Sequence, residues 1–449
     1  MNRQKASLKR SPSAESISPP PVKRKMQSGT TKSAVANFFK PASQKEPEKL
    51  TWRILSGTVL AGRYVPSPKP ETTEKGSKPK VALFDFDFTL IATTSGKKFP
   101  VNSDDWKWWH ACVPESLRRL HDEGFILAIV SNQGGISLKT NNKTAKGDAR
   151  RLGDFKTKAK NVLTLLDLPI RIFAATGIDQ FRKPRPGMWH ELLRDLGLKH
   201  EDIDLQASIF VGDAAGRDEM GPVQKDFSCS DRGFSENVGI PFKTPEEFFL
   251  SQPTRPWSRD FDPKAYLAEL DEKANSTTSV EFKKEYPQDI VIFCGAPGAG
   301  KSTFYWKHFE PLGYVRINQD ILGSRQNCIK KATQHLEDGE SVVIDNTNAN
   351  PETREHWIKL ARKFKVPIRC IHFTTPVMVA EHNDVMRALS GEMNPEKRDM
   401  LPKVAFSDFK KRYREPQLEE GLQDIIKVDF AFDGTEEQRA IWTKHWVSS

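Results

Sequence analysis

Three short polar clusters in the N-terminal half of the chain could carry out phosphoryl chemistry together. The first, Asp85-Phe86-Asp87-Phe88-Thr89-Leu90, follows an apolar run and sets two carboxylates two residues apart. One carboxylate can attack phosphorus while the other, Asp87, moves a proton to the leaving oxygen. The second cluster, Ser131-Asn132-Gln133, can hold phosphate oxygens through its hydroxyl and amides. The third, Gly212-Asp213 with Asp218 following, offers oxygen ligands for Mg²⁺.

A basic residue completes this set. Arg182-Lys183-Pro184 can place a cation against the negatively charged phosphorus centre. Each cluster alone has an ordinary explanation, since acidic strand ends often cap helices and a lone lysine such as Lys183 usually lies on the surface. All of them in one order, behind apolar runs, favour an active site.

The C-terminal half contains a second candidate site, for a nucleotide. The run from Gly295 to Ser302 matches G-x-x-x-x-G-K-[ST] in full, after an apolar strand and before a helical run. In such a loop the backbone N–H groups hold phosphates, the lysine bridges the β and γ oxygens, and the serine binds Mg²⁺. The predicted nucleotide-binding residues are Gly295, Ala296, Pro297, Gly298, Ala299, Gly300, Lys301, Ser302 and Thr303. Ser302 is also predicted as a metal ligand.

A phosphoryl acceptor needs further groups near this loop. Asp320 could accept a proton from a hydroxyl, although an aspartate at this position could instead cap the next helix. Asp345 closes an apolar strand and could support either Mg²⁺ or the acceptor site. Arg387, in a helical run that begins at His382, could stabilise charge on the transferring phosphoryl group, although most helix arginines are simply solvated.

Two α/β units must position these groups. Apolar strands are predicted at 81–84, 125–130 and 208–211, and a second series at 290–293, 314–317, 341–344 and 367–371. Helices between short apolar strands indicate parallel sheets covered on both faces, with active sites at the carboxyl ends of the strands. We therefore predict the α/β class with two parallel-sheet domains. The predicted boundaries are 1–49 for a disordered basic arm, 50–250 for the first domain, 251–287 for a linker with one helix, and 288–449 for the second domain.

Composition restricts the class of protein. The 449 residues are 29% charged and 10% aromatic, which predicts folded domains. No apolar stretch reaches the roughly 18 residues of a membrane span, and the N-terminus lacks a signal-peptide core, so we expect a soluble intracellular protein without a membrane partner. The five cysteines are scattered without a CxxC pair, which disfavours a structural zinc site and suits a reducing compartment.

Most of the net charge lies in the N-terminal arm. Residues 1–50 carry eleven Lys/Arg against three Asp/Glu, which is +8 of the total +10 and leaves only +2 for the remaining chain. This Ser- and Pro-rich arm is predicted to be disordered. Pro21-Val22-Lys23-Arg24-Lys25 is typical of a nuclear-import signal, with a solvated charge run as the alternative. The apolar side chains of Val35, Phe38 and Phe39 in a disordered context favour a partner pocket.

The order of the first set of motifs resembles the haloacid dehalogenase superfamily of phosphatases. A closer likeness covers Ser95–Pro100, Gly187–Trp189, Val211–Arg217, Asp226–Arg232 and Thr244–Phe249, which together resemble the eukaryotic polynucleotide kinase 3′-phosphatases. The second set resembles the kinase domain of the same family, and the resemblance spans about residues 50 to 430 in the same domain order. The segment Lys32–Pro41 also resembles the short motif that docks on the replication sliding clamp, with Lys32 where that motif usually has Gln.

The resemblance implies a haloacid dehalogenase-like Rossmannoid phosphatase followed by a P-loop kinase. It implies that Asp85 is the nucleophile, Asp87 the general acid and base, and that Ser131 and Lys183 bind phosphate. The implied Mg²⁺ ligands are Asp85, Asp87, Asp213 and the Phe86 carbonyl. The implied substrates are ATP and DNA with 3′-phosphate and 5′-hydroxyl ends, which suits a nuclear repair enzyme.

Phe88 departs from the family, which usually has glycine at this position. We expect ordinary backbone angles at Phe88, a ring beside the substrate path, and an active phosphatase. A strained loop would instead favour a scaffold with an inactive phosphatase site. A third hypothesis is a fused small-molecule kinase and phosphatase, since both folds host many substrates and the catalytic region is nearly neutral.

Overall fold

The computed structural model describes residues 48–66, 78–139, 144–274, 282–391, 393–394 and 397–447. Three predictions lie wholly or almost wholly outside these residues, namely the disordered arm at 1–49, the import signal at 21–25, and the clamp-like motif with Val35, Phe38 and Phe39. Residues Lys49–Ser449 form one compact unit that contains two separate large sheets.

The first large sheet has seven strands in the order β1-β2-β7-β6-β3-β8-β9. A short two-stranded ribbon of β4 and β5 lies apart from it. The neighbouring pairs β7–β6, β6–β3, β3–β8 and β8–β9 are parallel. Strands β1 and β2 form an antiparallel hairpin, and β2 pairs antiparallel with β7, so the sheet is mixed. The strands are β1 (Leu50–Leu55), β2 (Val59–Tyr64), β3 (Lys80–Phe84), β4 (Ile91–Ala92), β5 (Lys107–Trp108), β6 (Phe125–Asn132), β7 (Ile170–Ala175), β8 (Ile209–Val211) and β9 (Phe242–Lys243).

Helices cover both faces of this sheet. Along β3, Ala82 and Phe84 belong to the core on one face, while Val81 and Leu83 belong to the core on the other. Because successive strand residues point to opposite faces, a continuous apolar strand requires cover on both sides. The helices are α1 (Val113–Asp122), α2 (Ala145–Leu166), α3 (Gly187–Leu196), α4 (Ser230–Val238) and α5 (Pro245–Leu250).

The second large sheet has five parallel strands in the order β11-β12-β10-β13-β14. The side chains of its central strand β10 also alternate between two faces, because Ile292 packs in the core on one face and Phe293 in the core on the other. Its strands are β10 (Ile290–Cys294), β11 (Val315–Ile317), β12 (Val342–Ile344), β13 (Ile368–Phe373) and β14 (Ile425–Val428). The helices of this half are α6 (Pro263–Ala274), α7 (Lys301–His308), α8 (Gln319–Leu322), α9 (Arg325–Glu337), α10 (Pro351–Phe364), α11 (Val377–Ser390), α12 (Lys403–Arg412) and α13 (Glu436–Trp442).

The segment expected as a linker contributes to the packing of the second half. Leu267 of α6 is buried in a cluster with Val385 of α11 and Trp442 of α13. The C-terminal residues then contact the first domain, where Asn237 Nδ2 donates to the His445 carbonyl at 2.8 Å. The two halves are therefore joined by side-chain contacts as well as by the chain itself.

The composition predicted no membrane span and cysteines suited to a reducing compartment. Among the described residues, every helix is too short or too polar to cross a bilayer. All five cysteines are free thiols, and four of them are buried.

Candidate functional site

The first site lies where three adjacent strands end. Asp85 follows β3 directly, Ser131 lies near the end of β6, and Asp213 follows β8 after one glycine. Because β6, β3 and β8 are neighbours in parallel, their carboxyl ends meet at one edge of the sheet. The fold therefore brings the three predicted clusters together.

Lys183 is a buried member of this site rather than a surface lysine. Its ammonium lies 2.9 Å from Asp85 Oδ1 and 2.8 Å from Asp231 Oδ1. Asn132 holds the Lys183 backbone, because its amide oxygen accepts from the Lys183 N–H at 2.9 Å. Burial disfavours the charged ammonium, but the carboxylates of Asp231 and Asp85 outweigh this effect and raise the pKa of Lys183.

Three carboxylates cluster around this ammonium. Oxygen atoms of Asp85, Asp213 and Asp231 lie within 4.8 Å of one another. Burial, followed by repulsion from Asp85 and Asp231, raises the pKa of Asp213, and burial raises that of Asp231 to about 6. A dense set of oxygen donors with unfavourable negative charge fits a hard divalent cation such as Mg²⁺. The structure places Asp231 here, whereas the Asp218 carboxylate accepts from the Ser258 hydroxyl at 2.5 Å.

Asp87 faces different partners from Asp85. Lys158 of α2 lies 2.8 Å from Asp87 Oδ1, and Gln133 Nε2 donates to Asp87 Oδ2 at 2.7 Å. The same Gln133 nitrogen donates to the Ser131 hydroxyl at 3.0 Å. Asp87 is therefore held at the site by one cation and one amide, beside the acidic cluster and not within it. Lys158 was not predicted, because it lies within a long helix without a recognisable motif.

The backbone of Phe88 contradicts the expectation of ordinary angles. Its φ is 58°, in the left-handed region that glycine adopts freely and phenylalanine rarely does. A non-glycine residue held there costs about 1 to 3 kcal/mol. The cause is the hydrogen bonding of the turn, in which the Phe88 N–H donates to the Ile91 carbonyl at 2.7 Å. Phe88 lines a pocket together with Asp87, and its place beside the substrate path stays a prediction.

Two exposed aromatic side chains lie close to Lys98, a lysine of this pocket. Lys98 lines it and lies 4.3 Å from the centre of the Phe227 ring, which is 90% exposed. Phe99, the neighbour of Lys98, is 74% exposed. Exposed rings with interleaved cations form a surface suited to the bases and phosphates of a nucleic-acid strand.

The second site is the loop between β10 and α7. Gly298 has a φ of 75°, and a side chain there would meet the Ala380 carbonyl oxygen at 2.1 Å. Lys301 begins α7, and its ammonium donates to the carbonyls of Gly295 and Ala296 at 3.1 and 2.6 Å. Burial lowers the pKa of Lys301 to about 8. The loop therefore has the curled shape and helix N-terminus that bind phosphates.

Ser302 and Asp345 form a polar contact beside this loop. The Ser302 hydroxyl donates to Asp345 Oδ2 at 2.8 Å, and Arg316 lies 2.6 Å from the same carboxylate oxygen. Asn318 donates to the Asp345 carbonyl at 2.8 Å. Of the two roles left open for Asp345, this contact with the predicted metal ligand Ser302 favours Mg²⁺. Arg316 was not predicted as a site residue, because it lies inside a strand and outside any motif.

The acceptor side of the second site contains Asp320 and an arginine that the motifs did not indicate. Asn318, and not Asp320, caps α8 through its side-chain oxygen, and the Asp320 side chain is 80% exposed. One guanidinium nitrogen of Arg398, Nη1, lies 3.8 Å from Asp320 Oδ2, and the other, Nη2, donates to the Ser302 hydroxyl at 3.5 Å. Arg387 lies instead 2.8 Å from the buried carboxylate of Asp384. Arg398 is thus placed between the phosphate loop and the predicted acceptor base.

The two sites and their sheets define the class of the protein as a haloacid dehalogenase-like phosphatase joined to a P-loop kinase. Comparison with known families agrees with this class. Residues 80–249 match the family described as polynucleotide kinase 3 phosphatase, and residues 290–416 match the family described as AAA domain.

Relatives are known that share one or both halves. A bifunctional polynucleotide phosphatase/kinase of Schizosaccharomyces pombe is 40% identical over 352 residues, 78% of this chain and 80% of the relative. The polynucleotide 3′-phosphatase ZDP of Arabidopsis thaliana is 36% identical over 189 residues, 39% of this chain and 25% of the relative. A polynucleotide 3′-phosphatase of Saccharomyces cerevisiae is 29% identical over 212 residues, 38% of this chain and 87% of the relative.

This chain belongs to the bifunctional polynucleotide phosphatase/kinase family. Family membership confirms the resemblance, the α/β fold class and the prediction of a phosphatase followed by a kinase. The roles of the individual site residues stay predictions.

Proposed function

We propose that this protein removes 3′-phosphates from broken DNA strands and phosphorylates their 5′-hydroxyls with ATP, which leaves ends that can be ligated. The observation that carries this proposal is the presence of two chemically complete sites in one chain. An acidic site with the buried Lys183 suits phosphate-ester hydrolysis, and a phosphate-binding loop with Asp320 beside it suits phosphorylation of a hydroxyl. The two activities correct the two chemical defects of one strand break.

In the phosphatase site we assign the attacking oxygen to Asp85. As this oxygen bonds to phosphorus, the bond to the 3′ oxygen breaks and Asp87 supplies the proton that the 3′ oxygen takes up. Water then cleaves the aspartyl phosphate, and Asp87 takes the proton of that water. Lys183 offsets the negative charge at phosphorus, while Ser131 holds a phosphate oxygen.

The phosphatase site also suits a divalent cation. Mg²⁺ would lower the repulsion between the attacking carboxylate and the phosphate. The residues that we propose to hold it are Asp85, Asp213 and Asp231. Asp87 and the Phe86 carbonyl were also predicted as ligands. We do not assign them to the metal, because Lys158 and Gln133 hold the Asp87 carboxylate and the N–H groups of Leu90 and Ile91 donate to the Phe86 carbonyl.

In the kinase site we propose that ATP phosphates bind the N–H groups of residues 295–303. The exposed Asp320 accepts the proton of the 5′-hydroxyl, whose oxygen attacks the γ-phosphorus as the bond to ADP breaks. Ser302 and Asp345 would hold the Mg²⁺ that accompanies ATP. We assign the stabilisation of the transferring phosphoryl group to Arg398, since Arg387 is engaged by Asp384.

DNA as the substrate has support from the surface of the phosphatase site. The exposed rings of Phe99 and Phe227, with Lys98 between them, can stack bases and contact backbone phosphates. This observation favours a polynucleotide over the metabolic alternative, which rested on the nearly neutral charge of the catalytic region.

For the basic arm we propose a role in location and recruitment. The patch at 21–25 would direct the protein to the nucleus, where DNA repair takes place. The side chains of Val35, Phe38 and Phe39 would bind the replication sliding clamp.

The direct test uses end-labelled oligonucleotides with either a 3′-phosphate or a 5′-hydroxyl. The protein should remove the 3′-phosphate with Mg²⁺ alone and should phosphorylate the 5′ end only when ATP is added. RNA of the same sequence and glycerol phosphate serve as comparison substrates. Hydrolysis of glycerol phosphate at the rate of the oligonucleotide, without 5′ phosphorylation, would contradict the proposal.

A further inference from the structure

Phe88 combines an unfavourable backbone conformation with a side chain that is not fully buried. Its φ of 58° is left-handed, and the ring is 37% exposed. A phenylalanine is retained in this region only where the surrounding structure enforces it. Burial of the ring in the core does not explain a phenylalanine at this position, whereas a contact with a bound molecule would.

The turn around Phe88 enforces the conformation. The N–H groups of Leu90 and Ile91 both donate to the Phe86 carbonyl, at 3.1 and 3.2 Å, and the Phe88 N–H donates to the Ile91 carbonyl. The side chains of Thr89 and Leu90 are fully buried. The hydrogen bonds therefore determine the backbone angle, and glycine would adopt it without strain.

The ring lies on the leaving-group side of the proposed reaction. Phe88 lines its pocket together with Asp87, Lys98 and Lys158. The proton from Asp87 goes to the 3′ oxygen, and that oxygen carries the deoxyribose and base of the terminal nucleotide. A ring next to Asp87 therefore lies where the terminal nucleoside must pass or bind.

We propose that Phe88 contacts the substrate and recognises the 3′-terminal nucleoside through stacking and apolar contact. This inference rests on the proposed 3′-phosphatase function. An aromatic face accepts any base, so it selects nucleoside 3′-phosphates as a class without selecting a sequence. A phosphomonoester without a nucleoside gains nothing from the ring.

The test compares kcat/KM of the full chain and of Phe88→Gly on three substrates. These are a 3′-phosphorylated oligonucleotide, thymidine 3′-monophosphate and glycerol 2-phosphate. Phe88→Gly should lower kcat/KM about tenfold for the oligonucleotide and for thymidine 3′-monophosphate, which is the size of effect expected for a lost base–aromatic contact. It should leave kcat/KM for glycerol 2-phosphate within about twofold of the wild-type value. Phe88→Tyr, which keeps the ring, should retain the wild-type values. Relief of backbone strain should raise the apparent Tm of Phe88→Gly by about 2 to 4 °C.

Ser251→Gly is the matched control, because Ser251 also has a left-handed φ, 53°, and lies exposed after α5 of the same domain. This variant should raise the apparent Tm without changing kcat/KM on any substrate. If Phe88→Gly lowers kcat/KM equally for all three substrates, the ring acts through the loop and the proposal is wrong. Unchanged kcat/KM for both the oligonucleotide and thymidine 3′-monophosphate would also overturn the proposal. A wild-type protein that hydrolyses no nucleoside 3′-phosphate would instead refute the proposed function.

Discussion

The ammonium of Lys183 lies 2.8 Å from Asp231, a carboxylate that contributes to the phosphatase site from the first turn of α4. Asp231 also accepts from the Ala214 N–H at 3.0 Å, beside Asp213. It therefore links the cation at the phosphate site to the loop that carries a predicted metal ligand. This relationship makes Asp231 the acidic residue most in need of a test.

Asp231→Asn should lower 3′-phosphatase kcat/KM at least tenfold while leaving 5′ phosphorylation unchanged. Loss of this carboxylate removes a proposed Mg²⁺ ligand and one of the two carboxylates that pair with Lys183. The measurement is kcat/KM at several Mg²⁺ concentrations, where the variant should need more Mg²⁺ than the wild type. Asp218→Asn is the control, since Asp218 binds Ser258 and should have little effect on the reaction. A greater loss of kcat/KM in Asp218→Asn than in Asp231→Asn would favour the prediction from sequence that Asp218 is a Mg²⁺ ligand.

The two activities should be separable by single substitutions, because the reacting groups lie on different sheets. Asp85→Asn should abolish 3′-phosphate removal and leave ATP-dependent 5′ phosphorylation largely intact. Lys301→Ala should have the reverse effect. Both variants should be assayed on both substrates after circular dichroism has verified their folding. If either folded variant loses both activities, the model of two independent sites is wrong.

Four elements of the sites could be predicted from sequence, because a short stretch of neighbouring residues indicates each of them. Apolar strands with polar residues at their ends located Asp85, Ser131 and Asp213, and the glycine-rich motif located the loop before Lys301. The N-terminal hairpin was not predicted, because the alternation in two short strands is too weak a signal. Its presence makes the first sheet mixed where a parallel sheet was expected.

The remaining site residues are brought in by tertiary packing. Asp231 lies 18 positions after Asp213, and Lys158 lies inside α2, so neither has a spacing that relates it to the strand ends. Arg398 lies outside the helices and strands, where periodicity gives no direction for a side chain. The angle at Phe88 was predicted incorrectly because hydrogen bonds of the turn outweigh the intrinsic preference of the residue.

Arg398→Ala should lower the kcat for 5′ phosphorylation about 100-fold or more and leave 3′-phosphatase activity unchanged. A positive charge next to the transferring phosphoryl group acts mainly in the transition state, so KM for ATP should change much less than kcat. Arg387→Ala is the comparison, because it removes the ion-pair partner of the buried Asp384 and should lower the apparent Tm more than kcat. A larger loss of kcat in Arg387→Ala than in Arg398→Ala would return the catalytic role to Arg387.

Deletion of residues 1–49 should leave turnover on short oligonucleotides nearly unchanged and should lower nuclear accumulation. Replacement of Phe38 and Phe39 with Ala in the full chain should abolish capture by immobilised sliding clamp, because the two rings are proposed to fill its pocket. Turnover is measured with purified protein, and location is measured by fluorescence of a tagged chain. Equal capture of both forms by the clamp would exclude that part of the proposal.

Stability should fall as the pH is lowered from about 6.5 to 4 because of His382. This side chain is buried against the rings of Phe261 and Trp442, and its Nε2 lies 2.8 Å from the Trp442 carbonyl. Burial lowers the pKa of His382 to about 4, an effect that the Trp442 carbonyl opposes and that His445 reinforces slightly. Between these pH values the unfolded chain binds a proton that the folded state does not, so the free energy of unfolding decreases as the pH falls. From pH 7 to pH 5 the expected loss is about 2 kcal/mol.

Urea unfolding at pH 7 and pH 5, followed by tryptophan fluorescence, measures this loss. His382→Gln is the matched variant, because it keeps an N–H donor for the Trp442 carbonyl but does not titrate. Other groups that titrate in this range contribute to both proteins, so the difference between the two pH responses isolates His382. The wild-type protein should lose about 2 kcal/mol more than His382→Gln between pH 7 and pH 5. Equal losses would mean that His382 takes up its proton in the folded protein, against the burial seen between α11 and α13.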